Sequence, residues 1–363
     1  MTSTLHLQEL PGNGATAEAD ISVVICGYTM ERWADICAAV DSAIGQRPAP
    51  REVLFVVDYN EELRLAALAR FVGPFYAAVS VVANEEEKGL SGARNTGVRL
   101  ATSEVVAFLD DDAAAEDGWI EAMVGHYLDP SVFGVGGFAE PVWPADRPSW
   151  LPVEFDWVVG CSYVGQPEEV APVRNFIGCN MSLRRAAFEM VGGFSSAVGR
   201  VGKTPLGCEE TELCIRLVQH NPDATLIYDP DMRVAHHVSA DRTRRKYFVR
   251  RCYNEGLSKA IVAQLVGTVD GLGSERSYAT KTLPLGVLRS LAQLIRPTAS
   301  AGGRRGAAQR AMMIVVGLFV TAVGYSTGRA RLVLGRQRVS AAPAVAIAAV
   351  ATPAGASLRK KTA

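Results

Sequence analysis

Four short apolar runs constrain this chain more than any other feature: residues 21–26 (ISVVIC), 53–57 (VLFVV), 79–83 (VSVVA) and 105–109 (VVAFL). Each is rich in Val and almost continuously apolar, the pattern of a strand covered on both faces. Helical patterns over about residues 32–44, 61–71 and 92–100 separate them. Strands and helices in alternation predict an α/β fold, a mostly parallel sheet flanked by helices. A polar cluster follows each run. Gly27 follows the first, Asp58 the second, the turn 89–97 (GLSGARNTG) the third, and Asp110-Asp111-Asp112 the fourth. Ligands bind at the C-terminal edge of strands in open α/β sheets, so these clusters converge on one site.

Beyond Asp112 the pattern is less regular. Short strands are predicted at 135–138 and 226–228, and helices at 184–191 and 211–219. Residues 141–175, rich in Trp, Pro and other aromatics, read as a lid or binding loop. Residues 242–265 read as a helix that opens with Arg242, Arg244, Arg245, Lys246, Arg250 and Arg251. The organisation predicted is a flexible leader over 1–19, a catalytic domain over 20–265 and a basic helical and linker region over 266–310. A membrane helix over 311–328 and a basic, Ala-rich flexible tail over 329–363 complete it. The Pro-broken stretch 339–358 has a second membrane-associated segment as its alternative reading.

The net charge of -1 conceals an asymmetry. Glu275 is the last acidic residue; residues 276–363 carry 14 Lys and Arg, leaving 23 basic against 38 acidic residues in 1–275. A basic tail on an acidic body points to a polyanion. Residues 311–328 (AMMIVVGLFVTAVGYSTG) hold 18 positions without a charge, followed by Arg329, Arg331, Arg336 and Arg338. Eighteen helical residues span about 27 Å, close to the thickness of the hydrocarbon core. Basic residues interleaved with an apolar helix favour a membrane over nucleic acid; a buried amphipathic helix is the alternative. Seven scattered Cys form no Cys-x-x-Cys pair, which predicts reduced thiols in a cytosolic protein. No basic region followed by an apolar run marks a secretory signal at the N-terminus.

The chemistry concentrates in FLDDD (108–112). Three adjacent carboxylates need a cation or donors to neutralise them, and Mg²⁺ or Mn²⁺ accepts such oxygen ligands together with substrate phosphates. The spacing of Asp110 and Asp112 can set one carboxylate on a ribose and the other on a metal; a solvated acidic turn is the structural alternative. Gly92 reads as the opening of a helix whose N–H groups face an anion, and Arg94 adds a cation. Asp58 can accept from a base or ribose, or cap a helix. GCEETE (207–212) places three acids at a helix start, where they suit the helix dipole or supply a general base near the metal. His236 and His237 follow a Tyr-Asp-Pro turn, where a His can bind metal, contact phosphate or serve structure alone.

Together these residues resemble the family 2 glycosyltransferases, with their GT-A, Rossmann-like fold. The matching order is ISVVICGY, FVVDYN, GLSGARNTG, VVAFLDDD, Asn180-Met181-Ser182-Leu183-Arg184-Arg185, GGF at 192–194, GCEETEL and YDP…VAHH, over about residues 20–260. The resemblance implies a nucleotide-sugar site formed by Asp58, Arg94, Asp110 and Asp111. It implies metal ligands Asp112, Asp110 and His236, with His237 the rival to His236. Glu209-Glu210 stands at the family's usual Glu-Asp pair, whose second acid is the base, so Glu210 is implied; its extra methylene leaves Glu209 open. The segments YTMERW, VVDYNEEL and RRCYNEGLSKA are similar to a subgroup that includes archaeal lipid-linked glucuronosyltransferases. The Gln-x-x-Arg-Trp motif of the processive polysaccharide synthases does not follow Glu210.

The expected function is a metal-dependent, inverting, non-processive glycosyl transfer from a UDP- or GDP-linked sugar, with Mg²⁺ or Mn²⁺ as cofactor. The acceptor expected is a lipid-linked or cell-envelope glycan at the cytoplasmic face of the plasma membrane. Trp143, Trp150, Phe155 and Trp157 offer an apolar platform for the acceptor, Trp150 and Trp157 foremost; ordinary lid packing is their alternative. A sugar nucleotidyltransferase on a related fold is the second reading, and a non-catalytic sugar-nucleotide binder the third.

Overall fold

The computed structural model describes residues 18–199, 206–295 and 301–335. Within them the four apolar runs form β1 (Glu18–Gly27), β2 (Ala49–Val57), β3 (Val79–Ala83) and β4 (Val105–Asp110). All are parallel, side by side in the order β3-β2-β1-β4. Alternation of side chains along each strand feeds two cores. Val23, Ile25, Phe55 and Ala107 pack on one face against α1 (Trp33–Ile44), α2 (Glu61–Arg70) and, through Trp119, Ile120 and Met123, α4 (Trp119–His126). Val24, Leu54, Val106 and Phe108 pack on the other against α3 (Leu90–Leu100), α5 (Arg185–Val191) and α6 (Glu209–His220). β1, β2 and β4 are buried on both faces, which explains their near-continuous apolar sequence; β3, at the edge of the sheet, is only partly covered, contrary to the expectation from its sequence.

Beyond β4 the sheet is mixed. It is completed by β5 (Ala113–Ala115), β6 (Val132–Val142), β7 (Ala171–Pro172), β8 (Asn180–Arg184) and β9 (Thr225–His237). β8 runs antiparallel to β4, β6 antiparallel to β8, β9 parallel to β6, and β5 antiparallel to β9. The expected short strands at 135–138 and 226–228 are the centres of β6 and β9, which run on to the sheet's polar edge. Helix α3 begins at Leu90, so Gly92 lies inside its first turn rather than opening it. A Cβ there would fall 1.9 Å from the Glu87 carbonyl oxygen, so only glycine lets the preceding loop close. Gly97 plays the matching part beneath α3, where a Cβ would fall 2.4 Å from Val24.

The C-terminal part is helical. It comprises α7 (Arg245–Val266), the short α8 (Thr268–Gly271) and α9 (Gly273–Ser277), a π-helical turn (Tyr278–Thr282), α10 (Leu283–Leu294) and α11 (Ala301–Val333). The stretch 298–306, expected as a linker, is helical from Ala301 onward. β1 takes in the last two residues of the expected leader; residues 1–17 and the tail from 336, with Arg336 and Arg338, lie outside the described residues. Among the described residues α11 is the one helix long and apolar enough to cross a membrane. Its two sides differ. One is a seam of small residues docked on α7: a Cβ on Gly324 would fall 2.1 Å from the Tyr253 carbonyl oxygen, and one on Gly256 of α7 2.1 Å from the Thr321 carbonyl oxygen. Met312, Val315, Phe319 and Val323 line the exposed side, alongside Leu285, Leu288 and Leu291 of α10.

Gly256→Leu must therefore separate the backbones of α7 and α11. Overpacking costs about 1–3 kcal/mol, and here it falls on the docking seam. Limited proteolysis should cut within 301–335 far faster in this variant, while the domain carrying the sheet stays resistant.

Candidate active site

Strand register builds the site. Cys26 pairs with Asp110 across β1 and β4, and Gly27 with Val57 across β1 and β2. The groups just beyond these pairs therefore share one edge. Asp58 is held there by Asn84 Nδ2 (2.7 Å) and by the Gly89 N–H (3.1 Å). It is not a helix cap; Asn60 caps α2 by accepting from the Leu63 N–H. Asp58 thus ties the end of β2 to the glycine turn before α3.

The three acids after β4 have three different surroundings. Asp110 is the most exposed, its side chain 27% accessible, and accepts from Arg94 Nη2 at 3.1 Å. Asp111 turns toward Arg32 Nη1 at 2.5 Å. Burial pushes its carboxyl upward against the pull of that guanidinium. Asp112 is buried among Arg242 Nη2 (3.0 Å), Arg32 Nη1 (3.2 Å) and His236 Nε2 (3.3 Å). Burial pushes it upward too, but His236, Arg242 and Arg32 outweigh that effect and hold it well below the usual carboxylate range.

His236 reaches this point because β5 pairs antiparallel with β9, Ala113 opposite His236, and because the His237 N–H donates to the Asp112 carbonyl at 2.7 Å. Its Nδ1 faces Cys161 Sγ at 3.6 Å, which leaves Nε2 toward Asp112. His237 points away and pairs with Asp35 at 2.7 Å. Ligand atoms of Asp110, Asp112 and His236 lie within 4.8 Å of one another, and Asp112 Oδ1 is buried without a hydrogen-bond donor. Two carboxylates, one of them with the orphaned oxygen, and one imidazole are a donor set that fits Mg²⁺ or Mn²⁺.

Helix α6 brings the second set of acids. Cys208, in the left-handed region at φ 73°, turns the chain into the helix. Glu212 is bidentate on Arg216 (2.7 and 2.8 Å) and is structural. Glu209 accepts from Arg94 Nη1 at 2.9 Å and is 4% exposed. Glu210 lines a cavity of about 410 Å³ that Asp110, Arg94 and Glu209 also line. Burial, reinforced by the charge of Glu209, pushes the Glu210 carboxyl up to about 7. Arg94 is 2% exposed and also donates to the Gly178 carbonyl, with Phe108 and Phe194 beside its guanidinium. Rather than a free cation aimed at a ligand, it is the tie between the two acidic groups.

Trp157 lines the cavity, its Nε1 donating to Tyr278 Oη at 3.2 Å. Trp150 does not; it packs edge-on against Phe248 beneath Arg245. Sequence reasoning missed Arg32 as the partner of two aspartates. It read Arg242 and Arg251 only as members of a basic run, and it did not single out the cavity-lining Arg174 and Lys259. Arg242 follows His236 by six residues and lies on the same return to the sheet edge. That proximity was the available signal.

Removing the central tie leaves the buried Glu209 and the partly exposed Asp110 without their cation. Losing one partner of a buried pair costs about 3–5 kcal/mol, so Arg94→Met should lose that much in urea unfolding. Arg94→Lys, which keeps the charge but not the fork, should recover part of it.

Comparison with known proteins follows the same lines. The model of Glycosyl transferase family 2 matches residues 22–192. A glucosyl-dolichyl phosphate glucuronosyltransferase of Haloferax volcanii is 34% identical over 308 residues, 84% of this chain and 94% of its own. A pre-mycofactocin glycosyltransferase of Mycobacterium tuberculosis is 31% identical over 170 residues, 46% of this chain and 33% of its own. Among solved structures, a mannosyltransferase from Pyrobaculum calidifontis in complex with GDP-Man and Mn²⁺ superposes with a TM-score of 0.50 at 17% identity, covering 88% of each chain. The last likeness concerns the fold alone.

Proposed function

The chain belongs to glycosyl transferase family 2, and on that premise we propose a metal-dependent, inverting, non-processive transfer from a UDP- or GDP-linked sugar to a lipid-linked acceptor hydroxyl. That the protein is a glycosyltransferase acting on nucleotide sugars follows from the family. The finer reading rests on one observation: Asp110 and Glu210 line a single cavity, and Arg94 links Asp110 to Glu209, the residue before Glu210. A cation-binding end and a titratable acid thus face a common space.

In this reading Asp58 contacts the donor's base or ribose, and Asp110 with Asp111 completes the donor side. Asp112, Asp110 and His236 would hold Mg²⁺ or Mn²⁺, which when bound supplies positive charge to the leaving diphosphate. Glu210 takes the proton of the acceptor hydroxyl. The acceptor oxygen forms its bond to the anomeric carbon as the bond to the diphosphate oxygen breaks, and the nucleoside diphosphate leaves. One displacement inverts the configuration. The ion pair with Arg94 supports Glu210 rather than Glu209 as base, since the Glu209 carboxylate is already engaged by the buried guanidinium.

The name of the Haloferax relative supports a dolichyl-type acceptor. The exposed apolar sides of α10 and α11, with no acid after Glu275, support attachment to the cytoplasmic face of the plasma membrane. Seven free cysteines accord with a reducing compartment.

A base must be ionised to act. Because the Glu210 carboxyl is raised to about 7, kcat/KM should climb about tenfold per pH unit below that value and level off above it. Glu210→Gln should lower the rate by about 10²- to 10⁴-fold and flatten that limb. An unchanged profile in the variant would remove Glu210 from the role, and pyrophosphate as product in place of nucleoside diphosphate would establish nucleotidyl transfer instead. For the cation, Asp112→Asn should weaken Mn²⁺ affinity at least tenfold in titrations followed by electron paramagnetic resonance, with the protein still folded; equal affinity would move the metal elsewhere.

A further inference from the structure

The cavity has a second charged group that the reaction as described leaves without a task. Arg174, Arg251 and Lys259 line it too, together with Glu255 and Glu275. The five form one chain of ion pairs. Arg251 pairs with Glu255 at 2.7 Å, Lys259 with Glu255 at 3.6 Å and Glu275 at 2.6 Å, and Arg174 holds Glu275 with two bonds of 2.7 Å. Three cations share two carboxylates, so this wall carries one positive charge in excess. The acidic group, with Arg94 between Asp110 and Glu209, carries one negative charge in excess before Glu210 is counted. Each cation of the wall is paired, but the wall's net positive charge favours an anion in the cavity beside it. Arg251 sets where that anion lies. Its Nη2 is 3.2 Å from the Cβ position of Gly207, three residues before Glu210, and its guanidinium stacks over Trp157.

Phe155, Trp157, Tyr278, Leu283 and Leu318 add apolar surface to the lining. Leu318 belongs to α11 and is 41% exposed, on the helix whose outer side carries Met312, Val315 and Phe319. A soluble phosphate would have no use for such a wall.

We propose that Arg251 and Lys259, backed by Arg174, bind the phosphate of an isoprenoid-type lipid acceptor, whose chain leaves between Trp157, Tyr278 and Leu318 toward the apolar side of α11. This rests on the lipid-linked acceptor reading above and names the residues that recognise it.

Full-length protein in mild detergent should be titrated calorimetrically with geranylgeranyl phosphate, geranylgeraniol and inorganic phosphate. Geranylgeranyl phosphate should bind at least tenfold more tightly than either partial ligand. Lys259→Gln and Arg251→Gln should each weaken it at least tenfold, and Lys259→Arg should retain most of the affinity. Leu318→Asp, at a position 41% exposed, should weaken geranylgeranyl phosphate and leave inorganic phosphate unchanged. This variant decides the matter if the charge variants fail to fold. Equal binding of the alcohol and the phosphate, equal binding of inorganic phosphate and its lipid ester, or indifference to Leu318→Asp would each overturn the proposal. Binding of UDP- and GDP-sugars with Mn²⁺, measured on the same variants, separates the two readings. Its loss in the unmodified protein would defeat the donor assignment and leave the lipid-phosphate result standing.

Discussion

A buried guanidinium holds this structure together at its centre. Arg94 is surrounded by protein, yet its fork reaches Asp110 at the end of β4, Glu209 at the start of α6 and the Gly178 carbonyl. These groups come from chain segments 16, 84 and 115 residues away. Without a cation among them, two carboxylates and the nearby Glu210 would repel across a low-dielectric space. Glu210, next to that pair, is raised by burial first and by the charge of Glu209 second, while Arg94 pulls it the other way.

The aspartates after β4 show how far such surroundings separate identical side chains. Asp112 faces two guanidinium groups and an imidazole and keeps its charge. Asp111, one residue earlier, has a single guanidinium and is driven toward protonation by burial. Asp110 stays accessible at the cavity. Arg32 donates to Asp111 and faces Asp112, Arg242 donates to Asp112 Oδ2, and His236 Nε2 stands 3.3 Å from Asp112 Oδ1.

Helix α11 joins the site to whatever surface the protein rests on. Its glycine seam lets α7 and α11 approach to backbone contact, so the helix is part of the domain rather than an appendage. Because Leu318 and Thr321 line the cavity that Glu210 also lines, attachment through the outer side of α11 would orient the cavity as well as the protein. A free tether of the same composition would bring the enzyme to a membrane without aiming it.

Local pattern determined much. The apolar runs at 21–26, 53–57, 79–83 and 105–109 marked four parallel strands, three of them buried on two faces and the third run at the sheet edge, and the polar residues closing them had to share one end of the sheet. The sequence likewise marked FLDDD, GCEETE and His236, and it showed that 311–328 is apolar and helical. It could not say that Arg242, 130 residues after Asp112, would hold that carboxylate. Nor could it separate Glu209 from Glu210, place Trp150 outside the cavity, or gather Arg174, Arg251 and Lys259 into one wall. Strand and helix formation depends on neighbours a few positions away, which a sequence displays directly. Protonation and recognition depend on charges brought within a few ångströms from distant segments, and only the folded chain sets those distances.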